Sequence, residues 1–336
     1  MIFLNAPGRR SRRSRQIRLN EAAMSLNDKL FVLFAGICGL LAVASVIGFA
    51  LSRRVASESG RATVDNLNAR IRAWWVMVAI FAVSFGLGRG VTVVLFALTS
   101  FYTLREFVSL TPTRAADHLP LVAAFYVLLP LQYWLIWIDW YALFTILIPV
   151  YGFLLLPSLA ALKGDPEQFL LRVSRIQWGL MLTVYCISHA PALLTLDVPG
   201  RPREGFLLLF FLITVAQFSD VMQYVFGKLF GRTKVAPVVS PSKTVEGLFG
   251  GGLSAVAAGA ALWWITPFTP LEAAAMALAI VAMGFLGGLA LSAVKRSMGV
   301  KDWGTMISGH GGVLDRMDSL SFAAPVFFHL TRYFFT

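Results

Sequence analysis

Apolar runs close to twenty residues long recur between Leu30 and Leu291, and this repetition constrains the chain more than any single motif. Crossing the hydrocarbon of a bilayer takes about 20 residues of helix, and in lipid each backbone polar group must find its partner inside the protein. The candidate spans are Leu30 to Leu51, Trp74 to Gly86, Val91 to Leu110, Leu119 to Leu135, Tyr141 to Leu162, Ile176 to Leu196, Phe206 to Phe226, Leu248 to Ile265 and Leu271 to Ala293. They predict an all-α polytopic membrane protein with about nine transmembrane helices. A buried helix of a soluble protein can be as apolar, but a whole chain with 57% apolar residues, 14% charged residues and a mean hydropathy of +0.72 is not built for water. A last stretch, Phe322 to Phe335, contains His329 and Arg332 and reads as interfacial or partly inserted. Pro130, Pro149 and Pro157 are expected at kinks or ends, because proline lacks a backbone donor.

Parity then orders the connections. Gly227 to Gly247 and Lys295 to Asp318 are separated by two spans, so they share a face and can build one site. Counting back in pairs adds Arg53 to Ala73, Arg105 to His118 and Lys163 to Arg175. These connections hold 18 Lys and Arg, whereas the opposite ones hold Arg89, Arg201 and Arg203. The excess predicts that the shared face is cytoplasmic. One region disagrees: the same parity puts the N-terminus outside, while Arg9, Arg10, Arg12, Arg13, Arg15 and Arg18 favour the inside. A start at Met24 would leave Lys29 as the one basic residue before the first span and remove the conflict. The expected organisation is a basic leader over 1–29, N-terminal membrane helices over 30–200 and a C-terminal catalytic membrane region over 201–336.

A net charge of +12 could suggest a nucleic-acid binder, but the basic residues sit between apolar runs, where anionic headgroups account for them. The partners expected are membrane lipids, with no nucleic acid. Cys38 and Cys186 each stand alone in an apolar run, so neither a disulfide framework nor a metal-binding cysteine pair is indicated.

Chemistry concentrates in the last third. Gln217, Asp220 and Tyr224 follow i, i+3, i+7 near the end of an apolar span and should share one helix face. An ionisable residue inside a span is costly and marks a functional site facing a polar cavity, with the carboxylate suited to Mg²⁺. The structural alternative pairs Asp220 with Lys228 or Arg232. Downstream, Ser240-Pro241-Ser242-Lys243-Thr244 brings hydroxyls, a lysine and turn backbone together, a set suited to phosphate oxygens. Residues 292–318 then gather Lys295, Arg296, Lys301, Asp302, His310, Asp315, Arg316 and Asp318 around Gly309, Gly311 and Gly312, after a helix with Gly284, Gly288 and Ser292 at four-residue spacing. Small residues at that spacing permit close helix packing. The glycines allow backbone to approach a ligand, and Asp315 with Asp318 at i, i+3 can present two carboxylates to a cation.

Ser292, Lys295, Arg296, Lys301, Asp302, His310-Gly311-Gly312, Asp315-Arg316 and Asp318 fall in the order of the signature of phosphatidate cytidylyltransferases, the CDP-diacylglycerol synthases, and the segment resembles that family. Asp220, the Ser-Pro-x-Lys-Thr-x-Glu-Gly stretch from Ser240 to Gly247, and Arg105-Glu106-Phe107 are also similar to it. Over the first two hundred residues the likeness is mainly one of hydropathy. Two positions depart from the commoner pattern: Ser242 stands where lysine is usual, and Ser219-Asp220-Val221-Met222 where Asp-Thr-x-Ala is frequent. The departures resemble a paralogous branch.

The resemblance implies an enzyme in which the phosphate of phosphatidate, or of a related lipid, attacks the α-phosphorus of CTP and releases pyrophosphate. It implies Mg²⁺, as one cation or with a second beside it, held by Asp220, Asp315 and Asp318. Lys243, Lys295, Arg296, Lys301, Asp302, His310 and Arg316 are the expected catalytic set, and Ser240, Thr244, Gly311 and Gly312 the expected substrate contacts. A homodimer in a bacterial inner membrane, with the site facing the cytoplasm, completes the expectation. An ion-coupled transporter could also bury Asp220, but no inverted repeat is visible and a transporter has no evident need of the His-Gly-Gly and Asp-Arg-x-Asp cluster.

Overall fold

The computed structural model describes residues 25–54, 57–199, 204–306 and 311–336. Ten helices account for nearly all of them. They are α1 Leu26–Arg54, α2 Glu58–Leu87, α3 Arg89–Leu110, α4 Ala115–Trp137, α5 Tyr141–Ala161, α6 Phe169–Thr195, α7 Gly205–Leu229, α8 Val245–Ala261, α9 Pro270–Ser297 and α10 Leu314–Phe335. Eight of the first nine are long and apolar enough to cross a membrane, and α8 is a shorter apolar helix. Each of the nine expected spans falls on a helix, eight of them long enough to cross, and the protein is an all-α integral membrane protein.

Local chemistry sets several boundaries. Thr269-Pro270-Leu271-Glu272 opens α9 with a reciprocal cap: Thr269 Oγ1 accepts from Glu272 N, and Glu272 accepts from Thr269 N at 2.8 Å. Proline fits the first helical position, whose N–H has no helical partner. The expected disturbance at proline is local: Pro149 lies in a π-helical turn, Leu147–Gly152, and Pro130 directly after another, Ala124–Leu128. Between α7 and α8 the chain forms a short antiparallel hairpin, β1 Lys234–Ala236 with β2 Ser240–Thr244, where an irregular phosphate-binding turn was expected.

The last apolar stretch, expected to be interfacial or partly inserted, belongs to a longer helix. α10 runs 22 residues, about 33 Å at 1.5 Å per residue. It starts beside the C-terminal end of α9 and finishes with the Phe335 ring 4.6 Å from Phe268, in the connection that precedes α9. The polar residues that argued against insertion have partners. His329 stacks 5.1 Å from the buried His189, and Arg332 lies 3.7 Å over the Tyr141 ring.

Contacts between helix ends sort the two faces as parity required. Lys295 at the end of α9 and Glu106 near the end of α3 both bind the start of α10. On the other face Arg89, opening α3, pairs with Asp139, between α4 and α5. Lys29, at the start of α1, pairs with Glu204 before α7 at 2.7 Å, which puts the start of α1 on the face opposite the Lys295 end of α9. The arginine-rich leader lies outside the described residues.

Candidate active site

α7, α9 and α10 meet around two carboxylates. Asp220 lies in the second half of α7 and Asp318 one turn into α10, and the residue between them is Ser319. Its hydroxyl donates to Asp220 Oδ1 at 3.0 Å, and its backbone N–H donates to Asp318 Oδ1 at 2.7 Å. Neither aspartate has an ion-pair partner within 4 Å among the described residues. The alternative partners expected for Asp220 lie elsewhere: Lys228 stands over the Tyr224 ring, and the backbone N–H of Arg232 donates to Glu246. Of the expected α7 stripe, Gln217 donates to the Arg316 carbonyl at 3.3 Å and Asp220 reaches Ser319. Tyr224 is 56% exposed and carries Lys228 over its ring.

Two cations approach the pair. Lys243 leaves β2 and crosses α9, its Nζ donating to the Phe285 carbonyl at 3.2 Å and lying 4.7 Å over the Phe285 ring. The crossing depends on Gly288, where an added Cβ would stand 2.7 Å from Lys243 Nζ and 3.7 Å from Asp318 Oδ2. So one of the regularly spaced small residues of α9 makes room for a lysine, while Gly284 packs on Ser319 as expected. Burial lowers the Lys243 ammonium from its ordinary range, and Asp318 and Asp220 pull it back up. Arg316 is the second cation, close enough to act electrostatically on both aspartates.

Asp315 has a different task from the one expected. Its Oδ1 accepts from Lys295 Nζ at 2.7 Å, and its Oδ2 accepts from the backbone N–H of Trp303 at 2.8 Å and of Gly312 at 2.9 Å. A carboxylate held by three donors anchors the loop before α10, and a cation there would have to displace Lys295. Lys295 is correspondingly committed and buried. Glu106 is the counterpart from α3. It accepts from Val313 N at 2.9 Å and Leu314 N at 2.8 Å, placing a negative charge at the N-terminus of α10, where unpaired N–H groups favour it.

The glycines of the His-Gly-Gly sequence serve these two acids. Gly311 has φ +80, and a Cβ there would meet Asp315 Oδ2 at 2.7 Å. A Cβ on Gly312 would meet Glu106 Oε2 at 2.5 Å. Close backbone approach was expected of them, but toward a ligand; in the structure the approach is to protein carboxylates. His310 itself lies outside the described residues.

The rest of the expected set divides. Lys301 and Asp302 are exposed in the turn after α9, and Arg296 is exposed with its guanidinium on the Val300 carbonyl. Thr244 caps α8, its hydroxyl accepting from Gly247 N at 3.1 Å. Ser240 is buried in β2. Sequence reasoning gave Glu106 and Ser319 no role. Glu106 carried a signal, as an acid at the end of an apolar span within a matching tripeptide, whereas a serine in a helix carries none.

The arrangement offers two oxygen-donor carboxylates from separate helices, facing each other with their charge uncompensated by contact. Oxygen ligands of this kind suit Mg²⁺. Comparison with known proteins gives the family. The model of a family described as the cytidylyltransferase family matches residues 68–334. The chain is 41% identical over 309 residues to the uncharacterized protein YnbB of Escherichia coli (strain K12), covering 92% of this chain and 99% of that protein. It is 38% identical over 128 residues to a phosphatidate cytidylyltransferase of Staphylococcus epidermidis, and 35% over 125 residues to one of Staphylococcus aureus (strain COL). Each of those two matches spans 37% of this chain and 48% of the relative.

Proposed function

Because this chain belongs to the cytidylyltransferase family and is a membrane-embedded nucleotidyltransferase, we propose that it transfers the cytidylyl group of CTP to phosphatidate, yielding CDP-diacylglycerol and pyrophosphate. The observation that carries the reading is the Asp220–Asp318 pair with Lys243 and Arg316 around it, at the membrane end of a loop anchored by Asp315 and Glu106. A phosphate oxygen of the lipid attacks the α-phosphorus, the new P–O bond forms, and the bond to the β-phosphate oxygen breaks, its electrons leaving on pyrophosphate. Both reactants are anionic, so positioning and charge neutralisation supply most of the catalysis.

Asp220 and Asp318 would hold a divalent cation, which supplies positive charge to the triphosphate when bound. Lys243 would stabilise phosphate oxygens next to it, since its ammonium is aimed by Phe285 toward the two aspartates. Lys301 and Arg296, exposed on the same face, would meet the outer phosphates of the nucleotide. Lys295 acts through Asp315 as a positioning residue. A lipid phosphate is already ionised at neutral pH, so no general base is required. The reading places the enzyme in a bacterial inner membrane, its site toward the cytoplasm, in keeping with the 18 basic residues of the connections on that face.

A second acceptor, another lipid phosphate, is favoured by one observation: likeness to YnbB runs the length of the chain, whereas likeness to the two phosphatidate cytidylyltransferases covers about a third. The test is transfer of label from α-labelled CTP into extractable lipid by purified protein with phosphatidate and Mg²⁺, with Asp318→Asn as control. Labelled CDP-diacylglycerol from wild type and none from the variant supports the reading. CTP binding without labelled lipid would move the assignment to the second acceptor.

A further inference from the structure

Beside the acid pair, α1 and α2 face α7 and α10 across a gap. A cavity of about 370 Å³ runs between the four helices, within the roughly 300–1,000 Å³ typical of small-molecule sites. Its long walls are apolar, built from residues such as Ile37, Ala44, Met77 and Phe81. Gln217 and Arg316 line one end, held together by the hydrogen bond from the Gln217 amide to the Arg316 carbonyl. Arg316 Nε is buried and has no hydrogen-bond partner among the described residues. Buried polar groups are almost always bonded, and a guanidinium in this state suits an anionic oxygen.

The depth of the cavity is informative. Along α7 it extends from Val221 to Phe210, about 17 Å at 1.5 Å per residue, close to half of a hydrocarbon core about 30 Å thick. An apolar trough one leaflet deep with a single cationic end is complementary to an amphiphile with an anionic head.

Resting on the cytidylyl-transfer reading, we propose that this groove is the acceptor site: it holds an acyl chain of the lipid along α1, α2 and α7, with the lipid phosphate on Arg316. Gln217 is one helical turn from Asp220, so a phosphate at Arg316 arrives next to the acid pair. The N-terminal hairpin, which carries no residue of the nucleotide chemistry, thereby becomes a determinant of acceptor choice.

Narrowing the trough away from the chemistry tests this. Ala44→Trp should raise the KM for dioleoyl phosphatidate about tenfold, leaving the KM for CTP and turnover of dihexanoyl phosphatidate unchanged. Arg316→Gln should raise the lipid KM for both chain lengths. Equal effects of Ala44→Trp on both acceptors, or none on either, would overturn the groove, as would an unchanged lipid KM in Arg316→Gln. A measurement on the wild-type chain guards against a variant that does not fold. Phosphatidate with an acyl-chain diazirine, photolysed with the protein in phosphatidylcholine vesicles, should label α1 and α2 peptides and be competed by phosphatidate but not by added phosphatidylcholine. Labelling elsewhere, or equal competition by both lipids, refutes the site. A wild-type protein that cross-links as expected but forms no labelled lipid from CTP would instead sink the transfer reading and leave the lipid site standing.

Discussion

Two buried clusters of charge lie on the same face of this protein, one formed by residues 114–172 and one by residues 220–318, and they are built on opposite rules. In the first, Arg172 of α6 is 3% exposed and fully engaged. Its Nε donates to Asp117 Oδ1 at 2.9 Å, and its other nitrogens reach the Asp165 carboxylate and the carbonyls of Asp165 and Glu167. Asp117 accepts in turn from the backbone N–H of Arg114. The cluster ties the connection before α4 to the connection before α6. In the second, Asp220 and Asp318 are like charges brought together, bridged by one serine and left without an ion pair. A satisfied opposite-charge cluster holds loops in place, whereas unpaired like charges are stable only beside a cation and mark a functional site.

The contrast fails if the clusters respond alike to neutralisation. The largest effect expected is on catalysis: Asp220→Asn or Asp318→Asn should lower CTP-dependent lipid labelling by at least about 10³-fold, roughly 4 kcal/mol. The same variants should unfold at the wild-type temperature or above, since each removes repulsion. Asp117→Asn should do the reverse, leaving a buried guanidinium short of its charge partner and costing about 3 kcal/mol in detergent unfolding experiments, with activity retained while the protein stays folded. A smaller effect, about tenfold in turnover with little change in melting, is expected from Gly288→Ala, whose methyl group would push Lys243 off α9. Gly36→Ala, where nothing lies within 4 Å, is the silent control. The smallest effect is acid sensitivity at the rim of the first cluster. The backbone N–H of Glu167, with Arg114 and Arg172 nearby, holds the Asp165 carboxyl below its usual range. Its contribution is therefore present above the ordinary carboxylate pKa and lost only as pH falls through the lowered value. Arg114→Ala should bring that loss to slightly higher pH in a melting series, by a small amount because the pair is exposed.

Particular residues show what was legible. Asp220 stood out because an acid in an apolar span has few structural reasons to be there, and in the fold it shares Ser319 with Asp318. Asp315 and Asp318 were equally prominent, and spacing could not separate an anchor from a member of the facing pair. Residues three apart on a helix share a face but stand about 60° apart around it, enough for Asp315 to meet Lys295 while Asp318 joins Asp220 at Ser319. The length of α10 was not legible, because hydropathy counts His329 and Arg332 as costs, while in the fold they meet His189 and Tyr141 on other helices.

By itself the sequence determined the existence and order of nine apolar helices, the sharing of one face by the polar connections, and the concentration of chemistry in the last third. These are properties of single segments, set by how much apolar backbone a bilayer demands and by the charge each connection carries. Tertiary structure alone decided that Glu106 reaches across to cap α10, that Gly288 lets Lys243 through, that the two loop glycines admit carboxylates, and that α1 and α2 leave a trough beside the acid pair. Those outcomes depend on distances between helices far apart in the chain, and neither hydropathy nor spacing within one segment encodes the partner a side chain will face.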